Sequence, residues 1–488
     1  MSYRPDTLTI QIGRTEGERS FVWLQDAKES GAYLEITTKS AYEANGFTAA
    51  GTKRYEAKTA PVRMRGDLTS CRVTVSDLAP NDYVYRVGCE READTECYPF
   101  TVRAELDKRQ SFFMFSDLHT NVYRRPLATW DPTGEKKQAQ LDATMRHAAA
   151  FADTPDFFLS VGDNVSVCNM PASFYPDPTE FSNRRAADYA FCEYREFLST
   201  PLLKSIPFAS VLGNHDAVLL KEYEDVGDVN NALYQMPNDD GFSGHYADSS
   251  SGNFYFKSGK LLVVGINAMV NTTEHTKGCT KEVHRAFIER AVTAHPDVAF
   301  RILLCHVPAY SWVEGAPIRL SSGKPTENAQ MAAFFGELCE PFGFDLVFTG
   351  HQHAFSRSYP IMDGRVVGAA ESDTVIGEDG KRSTTLLDPQ GVIHYNLFSA
   401  YGHSFVSDLA EHPEEYYESY GASASNIREA REKGCPNLDP FGGVAYPYAP
   451  AYAYVTVSEE GGLDVFTVRA VSVSDFGVFD TLVLKKSR

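Results

Sequence analysis

Five short segments of this 488-residue chain each place His, Asp or Asn at the carboxyl end of an apolar run that reads as a buried strand. Phe112 to Phe115 leads to Asp117 and His119, Phe157 to Val161 leads to Asp163, and Phe208 to Leu212 leads to Asn214 and His215. Ile302 to Leu304 leads to His306, and Leu346 to Phe348 leads to His351 and His353. In α/β proteins ligands collect where strand ends meet loops, so five such segments can aim their side chains at one cleft. The pattern predicts a metal site.

The donor types narrow the metal. Oxygens of Asp117, Asp163 and Asn214 together with the imidazoles of His119, His306, His351 and His353 suit a transition metal such as Mn, Zn or Fe rather than Ca or Mg alone. These seven donors are too many for one four-coordinate zinc and about right for two ions that share a bridging carboxylate. Asp163 is the expected bridge, because the two oxygens of one carboxylate can serve two cations.

The same residues carry a resemblance. Asp117-Leu118-His119, Gly162-Asp163-Asn164, Gly213-Asn214-His215-Asp216, Cys305-His306 and Gly350-His351-Gln352-His353 occur in that order. They resemble the D-x-H, G-D-x-x, G-N-H-[DE], lone His and G-H-x-H blocks of the calcineurin-like metallophosphoesterases. The resemblance implies that Asp117, His119 and His353 complete one metal and that Asn214, His306 and His351 complete the other. It also implies hydrolysis of a small phosphoester by water activated at the metal pair. The ester oxygen that leaves needs a proton, and His215 stands next to Asn214, so His215 is the expected general acid, with Asp216 orienting its imidazole. A role for His215 in positioning phosphate without donating a proton is the alternative.

Within that family the chain is most similar to the purple acid phosphatases, through Gly350 to Pro360 (G-H-Q-H-A-F-S-R-S-Y-P) and the all-β front of the chain. It departs from them twice: His119 stands where they have Gly, and Ser166 stands where they have a metal-binding Tyr. One phenolate is exchanged for one imidazole, so the donor count is kept and a tyrosinate colour is not expected.

Organisation along the chain is consistent with two domains. Residues 7 to about 105 carry seven short strand candidates separated by polar turns and no helical period, which predicts a β-sandwich. Leu78 to Gly88 (L-A-P-N-D-Y-V-Y-R-V-G) resembles the late strands of fibronectin type III domains. From Ser111 strands alternate with helical stretches at Glu135–Phe151, Lys281–Ala294 and Asn328–Leu338, and three strand candidates, Ala453–Val457, Leu463–Val473 and Gly477–Lys485, end the chain. The expectation is an α+β chain: a fibronectin type III-like sandwich over 1–107, then a four-layer α/β/β/α metallophosphoesterase domain over 108–488. An insertion over the site or against the front domain is expected at about 371–450.

Composition limits the partners. The formal net charge of −19 repels phosphate backbones, so a small phosphoester is expected and nucleic acid is not. No apolar run approaches the roughly 20 residues needed to cross a bilayer, so no membrane partner is expected. The start, Met1-Ser2-Tyr3-Arg4-Pro5-Asp6, lacks the pattern of a signal peptide, which gives an expectation of a cytoplasmic protein. The nine cysteines are read mostly as buried apolar residues, with a Cys89–Cys97 bridge across a polar turn left open. Asn121, Asn164, Tyr310 and His403 are candidates to line the cleft, and Arg357 is either a site residue or half of a structural ion pair. His147, His284 and His295 lie in or beside helical stretches without partners and read as core histidines. Two other functions remain compatible with the same residues: a phosphodiesterase or nucleotide-directed enzyme on this site, and a scaffold protein carrying a vestigial one.

Overall fold

The structure is a computed structural model that describes residues 7–62, 65–120, 135–151, 155–165, 193–217, 231–239, 252–268, 281–310, 327–353, 355–376, 381–400, 441–445, 450–473 and 477–487, with Tyr3 and Pro5. Two large sheets dominate. The strands that carry the sequence motifs lie beside one another: Arg109–Phe115, Phe157–Ser160 and Phe208–Ser210 pair in parallel, with Phe157 opposite Phe112 and Phe158 opposite Phe208. In the second sheet Leu261–Gly265, Phe300–Leu304, Leu346–Thr349 and Ile393–Asn396 also run parallel. Parallel strands are covered on both faces, which is why Phe112–Phe115, Leu261–Ile266 and Leu346–Phe348 are unbroken apolar runs rather than alternating ones.

The inner faces of the two sheets share one core, in which Phe112, Phe158 and Phe208 from the first meet Phe256, Ile302 and Phe348 from the second. The helix Glu135–Phe151 adds Leu141, Met145 and Ala148 to that core. The outer face of the second sheet is covered by Lys281–Ala294 and Glu327–Cys339, through Phe287, Ile288, Met331, Phe335 and Leu338. The three helices fall where their 3.6-residue apolar spacing predicts them.

An antiparallel sheet of Lys53–Glu56, Tyr33–Thr38, Asn81–Gly88 and Tyr98–Val102 lies in the N-terminal part. It shares a core of Leu34, Tyr85, Val87 and Phe100 with Ile10, Phe21 and Trp23. Those last three residues belong to strands of the large sheet. Leu8–Ile12 pairs in parallel with Phe208–Ser210, Gln11 opposite Phe208, so the N-terminal strands extend the large sheet that carries the motif strands instead of standing apart from it. The seam is sealed by the buried Gln11, whose Nε2 donates to Leu233 O at 2.9 Å and whose Oε1 accepts from Gln235 N at 2.7 Å. One helix, Lys39–Asn45, interrupts the strands; Thr38 caps its start, and Gly46, at φ 57°, supplies the left-handed residue at its end.

The expected insertion is corrected in part. Glu371–Ile376 and Arg382–Leu387 form the edge of the large sheet, and Ile393–Asn396 is a central strand of the second. Their polar sequences, E-S-D-T-V-I and R-S-T-T-L-L, are those of an exposed edge, which hid them from an apolar-run criterion. Residues 401–440 of that stretch lie outside the described residues. The open Cys89–Cys97 bridge is not formed: Cys89 Sγ faces Glu29 Oε2 at 3.3 Å and Cys97 Sγ faces the Tyr42 hydroxyl at 3.1 Å.

Candidate metal centre

Three of the five strand-end loops turn through left-handed backbone at the motif residues themselves. Of ten non-glycine residues with positive φ among the described residues, Asp117, His119, Asp163, His351 and His353 make up half. Each such residue costs about 1 kcal/mol or more, so the surrounding hydrogen bonds must hold it. They do. Asp117 N donates to Gly162 O at 3.0 Å, His119 N to Asp163 O at 2.9 Å, Gly350 N to His306 O at 2.9 Å, and Ser399 Oγ to Asp117 O at 2.8 Å.

Two glycines are demanded by the same crowding. A Cβ at Gly213 would lie 2.0 Å from Asp163 Oδ1, and one at Gly350 would lie 1.8 Å from Ser116 Oγ and 2.6 Å from Asp117 Oδ2. The glycines of the third and last motifs therefore let neighbouring loops close over the carboxylates.

Around this frame the donor atoms converge. His353 Nε2 lies 3.2 Å from Asp117 Oδ1 and 2.9 Å from His119 Nε2. Asn214 Oδ1 lies 2.7 Å from His351 Nδ1 and 3.2 Å from His306 Nε2. Asp163 stands between these two groups: its Oδ2 is 3.0 Å from His306 Nε2 and 3.8 Å from His119 Nε2, while its Oδ1 accepts the His215 backbone N–H at 2.7 Å. One carboxylate oxygen of Asp163 thus faces both groups and the other holds the third loop.

Three sets of ligand atoms fall within 4.8 Å of one another: Asp117, His119 and His353; Asp163, His306 and His351; and His119, Asp163 and His215. Asp117 and Asp163 are buried, which opposes their ionisation. The imidazoles of His353 and His119 around Asp117, and of His306 and His215 around Asp163, overcome that and hold both carboxyls below their usual range. Burial pulls the His306 imidazole down, but Asp163 overrides it and lifts His306 to about 9. Burial and the neighbouring His306 push His351 down to about 4. His306 Nδ1 donates to Val161 O at 2.8 Å, which turns Nε2 toward the carboxylates. Ionised carboxylates packed against imidazole nitrogens fit a cation, which would take the place of the proton that Asp163 holds on His306.

The His215 ring lies at 87° to His119 with centroids 4.6 Å apart, beside the converging donors. Asp216 does not do what the sequence reading assigned to it. Its buried carboxylate accepts from Gly213 N at 2.8 Å, from Asn164 N at 3.2 Å, from Val165 N at 3.3 Å and from the Tyr194 hydroxyl at 3.2 Å. Asn214–Ala217 is one helical turn, in which adjacent side chains point about 100° apart, so Asp216 turns inward as His215 turns to the site. Burial and Asp163 raise the Asp216 carboxyl to about 7.

The other described candidates are held by partners of their own. Asn164 is buried, with Oδ1 accepting from Ser160 and Nδ2 donating to Ser210. Tyr310 packs against His394 with ring centroids 4.6 Å apart. Arg357 makes a buried ion pair with Asp480. His147 bonds to the Tyr452 hydroxyl and His284 to Asn253, as core histidines do, and His295 sits half-buried against Tyr255. Asn121, Ser166 and His403 lie outside the described residues. The sequence reading missed Asn267, whose Oδ1 accepts from Leu212 N at 2.7 Å and steadies the loop that carries Asn214. The signal was present, because Asn267 also ends an apolar strand run, Leu261 to Ile266.

Residues 111–355, half of the chain, match the calcineurin-like phosphoesterase family. The chain belongs to that family. Among curated proteins the chain is similar to purple acid phosphatase 18 of Arabidopsis thaliana, at 23% identity over 225 residues, 45% of this chain and 46% of that protein. The match thus spans about half of the relative's length. Its fold is similar to that of a purple acid phosphatase isolated from yellow lupin (Lupinus luteus) seeds, with a TM-score of 0.59 at 13% identity, covering 98% of this chain and 74% of that one. The mixed α/β architecture with an N-terminal antiparallel sheet is shared. Among the described residues no helix is long and apolar enough to cross a membrane.

Proposed function

We propose that the chain hydrolyses a small phosphoester, a monoester by preference, at a centre of two transition-metal ions. The observation that carries this reading is Asp163, whose Oδ2 lies between the two groups of donors. Asp117, His119 and His353 would hold one ion, Asn214, His306 and His351 the other, and Asp163 both. Bound there, two ions would supply Lewis-acid charge for the phosphoryl oxygens and an activated water near neutral pH.

The chain's own residues do the rest. Val161 O and Asp163 fix the ring of His306, and Ser116 and the His351 backbone N–H hold Asp117. The His215 backbone is tied to Asp163 Oδ1 and its imidazole lies beside His119, from where it would give a proton to the departing ester oxygen. Asp216 clamps the second and third loops by their backbone N–H groups and keeps Asn214 and Asp163 in register. Monoester preference rests on similarity to the purple acid phosphatases.

A panel of monoesters, diesters, cyclic nucleotides and pyrophosphates, assayed with Mn, Zn and Fe and again after chelation, tests the reading. Monoester turnover that chelation abolishes is expected. Preferential turnover of a diester would reassign the substrate class, and silence across the panel with metals bound would leave a scaffold protein.

A further inference from the structure

A second polar site lies at the other end of the catalytic strands. It is a cavity of about 20 Å³ lined by Glu16, Arg19, Arg103, Asp156, Lys257 and Ser258, together with Phe157 and Pro207 at the starts of their strands. The metal ligands follow the ends of the same strands, at least about 13 Å away along a four-residue strand. The cavity sits on the seam where the N-terminal strands meet the catalytic sheet.

Arg19 is only 8% exposed. Its Nη1 donates to Glu16 O at 2.9 Å and to Glu18 O at 2.7 Å. Its Nε is buried without a hydrogen-bond partner, and Nη2 donates to nothing among the described residues. The unused Nε and Nη2 form one edge of the guanidinium, the edge whose two parallel N–H groups match the two oxygens of a carboxylate.

The neighbouring acids are already engaged. Asp156 accepts from Arg103 Nε at 3.0 Å and from Ser111 N at 2.8 Å, and Glu16 Oε1 accepts from Gly259 N at 2.7 Å. Burial pulls the Arg19 guanidinium down to about 10 despite the pull of Asp156 and Glu16 in the other direction, so at neutral pH it is a buried cation whose charge is only partly balanced. Three basic residues line the cavity against two acidic ones.

We propose that this seam is a binding site for a carboxylate group, held by the free Nε and Nη2 edge of Arg19. Size selects the class. A cavity of about 20 Å³ takes one or two water-sized groups, which fits the two oxygens of a carboxylate better than the four of a phosphate. Position gives the consequence, since an anion there joins the strand Arg19–Asp26 to the starts of Phe157–Ser160 and Phe208–Ser210 and ties the N-terminal sheet to the catalytic one.

The test is calorimetric titration of the metal-loaded full-length protein with acetate, with chloride at the same ionic strength and with inorganic phosphate. One saturable acetate site per chain that chloride does not fill is expected. Arg19→Lys, which keeps the charge and removes the fork, should weaken acetate binding at least tenfold and leave phosphoester turnover unchanged. Lys257→Gln, at a half-buried strand position, should weaken it several-fold and serves as the second variant should the first fail to fold. Absence of acetate binding to the wild type means that water alone fills the cavity, and equal binding by both variants means that the anion sits elsewhere; either overturns the proposal. Phosphate bound more tightly than acetate in an Arg19-dependent manner overturns the carboxylate assignment.

Discussion

Removal of the Asp480 carboxylate should destabilise the fold far more than it disturbs the chemistry. Arg357 projects from Phe355–Ser358 in the second sheet, and its partners Asp480 and Thr384 belong to the first. The guanidinium donates from Nε to Asp480 Oδ2 at 2.9 Å, from Nη2 to Asp480 Oδ1 at 3.0 Å and from Nη2 to Thr384 Oγ1 at 3.2 Å. Both charged side chains are almost wholly buried, at 1% and 2% exposure, so water cannot replace a missing partner. Asp480→Ala leaves a buried guanidinium without its counter-charge, which costs about 3–5 kcal/mol. Asp480→Asn keeps the shape and one acceptor but not the charge, so it should cost about 3 kcal/mol, the low end of that range. The double variant Arg357→Met with Asp480→Leu removes both charges and should return to within about 1 kcal/mol of wild type, because desolvation and attraction vanish together. Urea unfolding followed by circular dichroism measures all three, with turnover per folded molecule unchanged. A loss below about 1 kcal/mol for Asp480→Ala, or a double variant as unstable as the single, would refute the inter-sheet clamp.

Three further outcomes are expected at the centre itself. Gly213→Ala drives a methyl group to within 2.0 Å of Asp163 Oδ1 and should lower metal affinity about 10–100-fold in a folded protein, as competition with a chelator would read. His215→Ala should retain both metals yet slow turnover by roughly 10²–10⁴, and the deficit should shrink for esters with good leaving groups such as nitrophenolate; an equal deficit for every leaving group makes His215 a phosphate-positioning residue. With Ser166 at the position of the purple acid phosphatases' tyrosinate, iron-loaded protein should show no strong visible charge-transfer band, and a purple absorption would contradict the ligand assignment.

The candidate site was legible because its ligands follow apolar strand runs, and a strand end is a fixed point in a parallel sheet. The roles of chain neighbours were less so. Asp216 follows His215 in sequence, but one helical turn points the two side chains apart, and only the fold shows that Asp216 grips backbone N–H groups of two loops. Arg357 was ambiguous because its partner, Asp480, is 123 residues away. The join between the N-terminal strands and the catalytic sheet rests on Gln11 facing Phe208, a pairing that no local pattern encodes. Edge strands such as Glu371–Ile376 were overlooked because an exposed edge need not be apolar. The donor convergence drew on local signals alone, whereas the clamps that hold it are long-range.

The central claim, two metals sharing Asp163, is tested most directly by metal analysis of the reconstituted wild type beside Asp163→Asn. About two transition-metal ions per chain are expected in the wild type, with metal and phosphoesterase activity lost together in the variant. A wild type that is fully active with no more than one ion per chain, or an Asp163→Asn protein that keeps both ions and its activity, would contradict it.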